Sequence, residues 1–262
     1  MVETTDCQGC RDGAAFALPI TMAFQPIVDV DSRTVFAHEA LVRGADGAGA
    51  FAVLSTVDDA NRVAFDRACR TKAIEMAGAL DLIGDGSALS INFLPNAVHD
   101  PARCVLPTLE LVAAARVPTS RIIFEFTETE QVEPAHLNAI LRTYKALGFL
   151  TAIDDFGAGY SGLTLLSRFQ PDIVKLDMAL IRGLDADRVK RAIVRAIVRL
   201  AADLGVAVVA EGIETEREYL AWQDMGVRLL QGYLFARPAF EAIATPDWPA
   251  AVPAQRKTAQ AA

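Results

Sequence analysis

Two rhythms of apolar and polar residues share this chain. Eight segments show the alternation or the short apolar run of a buried strand, at residues 22–30, 34–43, 88–94, 121–127, 150–156, 173–177, 207–211 and 228–235. Only Asp31-Ser32-Arg33 separates the first two, so they are predicted to form a hairpin and run antiparallel. Helical patterns fill the later gaps, at 58–80, 134–147, 187–204 and 215–225. The second of these opens on Pro134, suited to a first helical turn, and stops before Gly148. The third places Val189, Ile193, Ile197, Leu200 and Leu204 on one face. Its arginines, Arg188, Arg191, Arg195 and Arg199, lie elsewhere and read as a solvated outer face. Strand alternating with helix over most of the length predicts an α/β fold, a closed barrel with its helices outside.

Composition narrows this picture. The chain has 262 residues, 52% of them hydrophobic, enough for one large core. That size suits a single α/β barrel of roughly 250 residues. No linker or repeat divides it. Residues 1–20 read as a flexible leader, 21–250 as the one folded domain and 251–262 as a loose tail. No run reaches the 18 or so apolar residues of a membrane-spanning helix, and the acidic N-terminus lacks a signal pattern, so a cytoplasmic protein is expected. A net charge of −8 with no long basic run argues against nucleic-acid polymers and anionic membranes as partners. Cys7 and Cys10 form a C-x-x-C that offers only two zinc ligands, and Cys69 and Cys104 lie far along the chain. A reduced N-terminal tail is the expectation there.

The chemistry gathers at the strand ends. In the segment from Thr151 to Ser161, an apolar strand runs into adjacent carboxylates, Asp154 and Asp155, followed by a loop punctuated by Gly157 and Gly159. Neighbouring carboxylates at a partly solvated strand end repel and call for a cation, and the glycines let the loop bend. Other strands end in kind. The second offers Glu39, with Leu41 and Arg43 at the same parity. The third offers Asn92, the fourth Glu125 and then Glu128, the sixth Lys175 and Asp177, the seventh Glu211 and Glu214, and the eighth Gln231. Barrel enzymes collect their chemistry where the strands end. Oxygen donors with no histidine among them suit Mg²⁺ or Mn²⁺ better than zinc. His38 has the opposite parity to Glu39 and is read as structural, and His99 and His136 fall away from the strand ends.

The stretch Glu39-Ala40-Leu41-Val42-Arg43 resembles the signature that names the EAL domains, bacterial phosphodiesterases that open cyclic di-GMP to linear pGpG. The resemblance runs in order through Phe24-Gln25-Pro26-Ile27-Val28, Asn92, Glu125-Phe126-Thr127-Glu128, the Asp154–Ser161 segment, Lys175-Leu176-Asp177, Glu211-Gly212-Ile213-Glu214 and Gln231-Gly232-Tyr233-Leu234-Phe235, over roughly residues 20–240. It implies a modified TIM (β/α)₈ barrel with one antiparallel strand, in keeping with the hairpin.

It also implies roles, position by position. Glu39, Asn92, Glu125 and Asp154 ligate a first divalent cation. Asp154, Asp155 and Glu211 serve a second, with Glu211 also a candidate general base. Lys175 polarises the attacking water, Gln231 lies at the same mouth, and Gln25, Leu41, Arg43 and Asp155 face the dinucleotide. Glu128 anchors the loop of Gly157 and Gly159 and couples it to a homodimer surface. Two cations about 3.5–4 Å apart suit in-line attack on a phosphodiester. Ca²⁺, with its longer and looser coordination, is expected to inhibit. Two loop positions depart from the family pattern, Ala158 where threonine is common and Gly162 where serine is usual. The alternatives to an enzyme are a non-catalytic cyclic di-GMP receptor and a protein-interaction regulator. Control would come from a sensor or regulatory partner, or from Cys7 and Cys10.

Overall fold

In the computed structural model, residues 16–128, 130–159 and 162–250 are described. Cys7 and Cys10, most of the leader, the tail and the loop residues Tyr160 and Ser161 lie outside them. Eight strands close a barrel: β1 (Ile20–Asp29), β2 (Thr34–Gly44), β3 (Ala88–Asn92), β4 (Ile122–Thr127), β5 (Leu150–Phe156), β6 (Ile173–Leu176), β7 (Ala207–Ala210) and β8 (Leu229–Gln231). From β2 to β8 the pairings are parallel. Strand β1 closes the ring and runs antiparallel to both β2 and β8. The hairpin sets that direction. Asp29 Oδ1 accepts the N–H groups of Asp31 and Ser32, and Arg33 takes a left-handed φ of 55°, which turns the chain back at once. A short β9 (Ala239–Phe240) adds to β1 beside Ala23 and Phe24.

The helices that follow the strands are α1 (Ala50–Leu54), α2 (Arg62–Ala79), α3 (Pro101–Cys104), α4 (Leu106–Ala114), α5 (Pro134–Ala146), α6 (Gly162–Arg168), α7 (Met178–Ile181), α8 (Arg188–Asp203) and α9 (Glu216–Asp224). The four predicted helices are present. Helix α2 starts later than its pattern because Asp58 Oδ1 accepts the N–H groups of Ala60 and Asn61 and closes a turn. Thr215 caps α9 in a capping box with Glu218. Helices α1, α3, α6 and α7 span seven residues or fewer, too short for a periodic signal.

Helix α8 turns differently from the simplest reading of its pattern. Val194 and Ala201 are its buried residues, while Val189 is 67% exposed and Ile193 46%. Leu200 and Leu204 are exposed as well. Val189, Ile193, Leu200 and Leu204 therefore face outward, while Val194 and Ala201 are buried and Ile197 and Val198 pack against the core.

Inside the barrel, the side chains form layers. Ile27, Ala37, Ala88, Ile123, Ala152, Ile173, Val209 and Leu229, one from each strand, pack into a single apolar cluster. This plug closes the barrel and forms the floor on which the polar residues stand. The larger core lies between the strands' outer faces and the helices, around Phe93, Phe124, Phe126, Tyr144 and Phe149. His38 is buried in that outer layer side, at opposite parity to Glu39.

Candidate active site

Two residues beyond each plug residue, toward the mouth, stand Gln25, Glu39, Ser90, Glu125, Asp154, Lys175, Glu211 and Gln231. Successive side chains of a strand alternate faces, so a step of two keeps the side chain inside the barrel and lifts it one layer. In β1, which runs the other way, the step is from Ile27 back to Gln25. A polar ring thus sits directly on an apolar floor. Asn92 lies one further step along β3, above Ser90.

Lys175 is the hub of the ring. Its side chain is 1% exposed, and Nζ lies 2.7 Å from Glu211, 2.9 Å from Glu125, 3.2 Å from Asp154 and 3.3 Å from Glu39. Amides complete the shell. Asn92 Nδ2 donates to Glu39 Oε1 at 3.1 Å and Gln231 Nε2 to Glu39 Oε2 at 2.7 Å, while Gln231 also reaches Gln25 Oε1 at 3.3 Å. Ser90 Oγ donates to Glu125. Ser90 was missed in the sequence. Its parity with Asn92 and its place two residues beyond Ala88 were the available signal.

One ammonium cannot hold four carboxylates in their charged state at once. For Glu39, burial pushes the pKa up, but Lys175 and the two amide donors outweigh it and the group ends below the usual range. Glu125 has no such surplus. Burial carries it up to about 8, Lys175 opposing and Glu39 and Asp154 adding to the rise. Burial likewise raises Asp154, and Glu211 well above the ordinary carboxylate value. Asp155 is pushed up to about 6, by burial first and then by the charges of Asp154 and Asp177. The arrangement is short of positive charge.

The Asp154-Asp155 pair owes its geometry to a bulge. Ile153 pairs with Val174 and Phe156 with Leu176, so β5 carries one extra residue at this point. Asp155 takes a left-handed φ of 53°. In a regular strand the two carboxylates would face opposite sides. The bulge lets both converge, and carboxylate oxygens of Asp154, Asp155 and Glu211 come within 4.8 Å of one another. Those of Glu39, Glu125 and Asp154 form a second such group, sharing Asp154.

The donor set fits two divalent cations. Five carboxylates, Glu39, Glu125, Asp154, Asp155 and Glu211, surround one ammonium, a formal excess of four negative charges when all are ionised. Two doubly charged ions match that excess, and all-oxygen ligands select hard cations.

Outside the ring, Asp66 Oδ1 accepts the N–H of Leu94 at 2.9 Å and its other oxygen pairs with buried Arg70, which fixes the chain just past Asn92. Leu41 lines a cavity shared with Glu39 and Asn92, and Arg43 donates to the Val42 carbonyl at 2.7 Å. Buried Glu128 takes the N–H of Gly157 on Oε2 at 2.8 Å and that of Gly162 on Oε1 at 2.7 Å, clamping both ends of the loop after Asp155. Gly162 is needed there. A Cβ would stand 2.8 Å from both Glu128 Oε2 and Phe156 Cε2.

The EAL domain family matches residues 18–238 of the chain. The chain belongs to the EAL domain family. Among curated relatives of this EAL domain, the blue light- and temperature-regulated antirepressor BluF of Escherichia coli K12 is 37% identical over 229 residues, which is 87% of this chain and 56% of BluF. The cyclic di-GMP phosphodiesterase RocR of Pseudomonas aeruginosa is 36% identical over 129 residues, 49% of this chain and 33% of RocR. The chain thus spans 56% of BluF's length and a smaller share of RocR's. Among solved structures, a standalone EAL protein from Vibrio cholerae O395 in its c-di-GMP-bound form superimposes with a TM-score of 0.85 at 47% identity, covering 89% of this chain and 98% of that one. BlrP1 of Klebsiella pneumoniae, as a manganese and cyclic di-GMP complex, gives a TM-score of 0.84 at 38% identity, covering 90% of this chain and 60% of BlrP1. No helix among the described residues is long and apolar enough to cross a membrane.

Proposed function

We propose that this EAL domain, residues 21–250, is a cytoplasmic phosphodiesterase that hydrolyses cyclic di-GMP to linear pGpG with Mg²⁺ or Mn²⁺. The observation that carries the reading is the polar ring, with two carboxylate groups sharing Asp154 around the Lys175 ammonium. The likeness to a c-di-GMP-bound EAL protein and to a manganese and cyclic di-GMP complex supports the ligand and the metal.

Glu39, Glu125 and Asp154, with the Asn92 amide, would hold one cation, and Asp154, Asp155 and Glu211 the other. Bound there, the cations supply charge for the phosphodiester oxygens and acidify the attacking water. The chain's own groups do the rest. Lys175 holds four carboxylates in one plane of the barrel and presents a buried positive charge to the attacking water. Glu211, 2.7 Å from the Lys175 ammonium at the mouth of the ring, would accept a proton at its carboxylate from that water. The apolar plug beneath keeps solvent from entering through the floor. Ca²⁺, with its longer and looser coordination, would be held by the same oxygens and is expected to inhibit. The outward stripe on α8 serves a homodimer.

A second reading, a protein-binding regulator, is favoured by the likeness to the antirepressor BluF. The complete set of acids weighs against it, because a buried cluster of repelling carboxylates is costly for a surface-recognition task. Incubation of the full chain with cyclic di-GMP and Mg²⁺ or Mn²⁺, followed by chromatography, separates the two. Linear pGpG supports the enzyme; unchanged dinucleotide with metal present sinks it.

A further inference from the structure

We propose that Asp66, held by Arg70, is a positioning residue for the amide of Asn92, an inference that rests on the two-cation reading of the ring. The two residues stand one turn apart on α2, outside the ring. Their side chains are 1% and 6% exposed and form an ion pair. Both oxygens of Asp66 are committed. Oδ2 accepts from Arg70, and Oδ1 accepts the N–H of Leu94 at 2.9 Å. Asp66 accordingly belongs to neither of the carboxylate groups placed to hold a cation.

As a brace for the fold this pair is poorly made. A buried ion pair gains little over apolar side chains of the same volume, because both charges lose their water. Here the guanidinium is also short of partners. Arg70 Nε is buried with no hydrogen-bond partner among the described residues, and Nη1 reaches Thr108 Oγ1, on α4, only at 3.5 Å. What the pair does provide is a fixed acceptor for one backbone N–H.

That N–H sits where the barrel stops holding the chain. The Phe93 N–H still bonds to the Glu125 carbonyl, across the ladder of β3 and β4, at 2.9 Å. Leu94 is the next donor, and Pro95 after it has none. Glu130 Oε1 then takes the Asn96 N–H at 3.1 Å. Asn92 ends β3, two residues before Leu94, and its Nδ2 is occupied by Glu39 Oε1, which leaves Oδ1 for a cation. A ligand on the last residue of a strand takes its direction from the chain that follows, and Asp66 fixes that chain from the helix side. Asp66, Leu94, Asn92 and Glu39 line one cavity of about 340 Å³, so packing does not damp a shift of Leu94 before it reaches Asn92.

Mn²⁺ titration of the full chain by electron paramagnetic resonance, with amide exchange at Leu94 in EDTA, tests the assignment. Asp66→Leu combined with Arg70→Leu removes the charges and the acceptor together, and its metal-free melting temperature should stay near wild type. One of the two bound Mn²⁺ ions should weaken by about 10–100-fold while the other keeps its affinity, and Leu94 should exchange faster. Asp66→Asn combined with Arg70→Gln restores a neutral acceptor and should return both affinities to the wild-type values. A purely structural role would follow the melting temperature and not the acceptor. If the apolar pair does not fold in EDTA, Asp66→Ala with Arg70→Gln takes its place, losing the acceptor while keeping a polar neighbour for Thr108. Unchanged Mn²⁺ affinities without the acceptor, or affinities still weakened once it is restored, overturn the proposal. A wild type that binds no Mn²⁺ ends the metal reading and this inference with it. A chain that binds Mn²⁺ in this pattern but leaves cyclic di-GMP intact sinks the enzymatic reading and leaves the anchor standing.

Discussion

Lys175 Nζ lies 2.7 Å from Glu211 Oε1, the shortest of its four carboxylate contacts, at the centre of a layer that water barely reaches. This ammonium is the positive charge that lets the metal-free ring fold. Lys175→Ala leaves buried carboxylates without their cation, a change of about 3–5 kcal/mol for a broken buried pair. The melting temperature of the metal-free variant should fall well below wild type, and Mn²⁺ should raise it by more than it raises wild type. Scanning fluorimetry with EDTA and with Mn²⁺ checks this; equal metal-induced shifts would contradict the hub role.

Glu39 is held below the usual carboxylate range while burial raises its neighbours, because Lys175, Gln231 and Asn92 all bear on it. Glu39→Ala should abolish Mg²⁺-dependent turnover, by at least about 10³-fold for a lost metal ligand, and leave the far-ultraviolet circular dichroism unchanged. Retained turnover would refute the metal assignment.

The raised carboxylates give the metal-free protein a pH dependence whose sign is fixed. Glu125, up to about 8, and Asp155, up to about 6, bind protons more tightly folded than unfolded. The folded state therefore carries more protons over this range, and stability falls as pH rises from the ordinary carboxylate value toward 8. Cations compete for the deprotonated oxygens, so metal binding strengthens over the same window. Melting of EDTA-treated protein should drop between pH 5 and pH 8, while the Mn²⁺-induced rise should grow, on the order of the tenfold-per-unit change in proton competition. A metal shift larger at pH 5 than at pH 8 would rule out these groups as ligands.

Much of the site could be read from the chain, because strand alternation carries its own geometry. Once Glu39, Glu125, Asp154, Lys175, Glu211 and Gln231 fall at strand ends, a barrel must bring them to one mouth. The bulge at Asp155 left no trace in the pattern, since it depends on how β5 and β6 pair across 20 residues or so of intervening chain. Ser90 hid because a small hydroxyl in an apolar strand looks like core filler, and its partner Glu125 lies on another strand. In α8 the apolar stripe was legible, but which face the barrel covers was not. Val194 and Ala201 are the buried residues, Ile197 and Val198 pack beside them on the core, and Val189, Ile193, Leu200 and Leu204 stay outside.

Glu128 joins both ends of the loop after Asp155, accepting from Gly157 and from Gly162. Glu128→Ala frees the N–H groups of exposed Gly157 and buried Gly162, a loss of about 1–3 kcal/mol for the buried donor, and unties the loop from the ring. Turnover should fall while the other ligands stay in place, and weaker Mn²⁺ binding should accompany it through Asp155. Restoring the family's serine by Gly162→Ser is expected to destabilise this protein rather than improve it, by about 1–3 kcal/mol, because the added Cβ meets Phe156 and Glu128. Thermal melting of both variants decides; a Gly162→Ser protein more stable than wild type would mean the loop has room that this packing denies.

The outward stripe on α8 makes the last prediction. Val189, Ile193, Leu200 and Leu204 face solvent on a helix whose Arg191 and Arg195, on another face, pair with Asp224 at 3.0 and 3.2 Å. Residues spaced by four and seven along a helix form a seam suited to a second identical helix packed in two-fold symmetry. Burying each side chain against a partner recovers on the order of 1 kcal/mol, so removing two should dissolve a dimer of ordinary affinity. Ile193→Glu combined with Leu200→Glu should sediment as a monomer of 28.1 kDa at concentrations where wild type sediments at twice that mass. The double variant should melt close to wild-type temperature under dilute conditions, since neither residue is buried in the protomer. A wild type that sediments as a monomer at every concentration, or a double variant that still dimerises, would remove α8 as the contact.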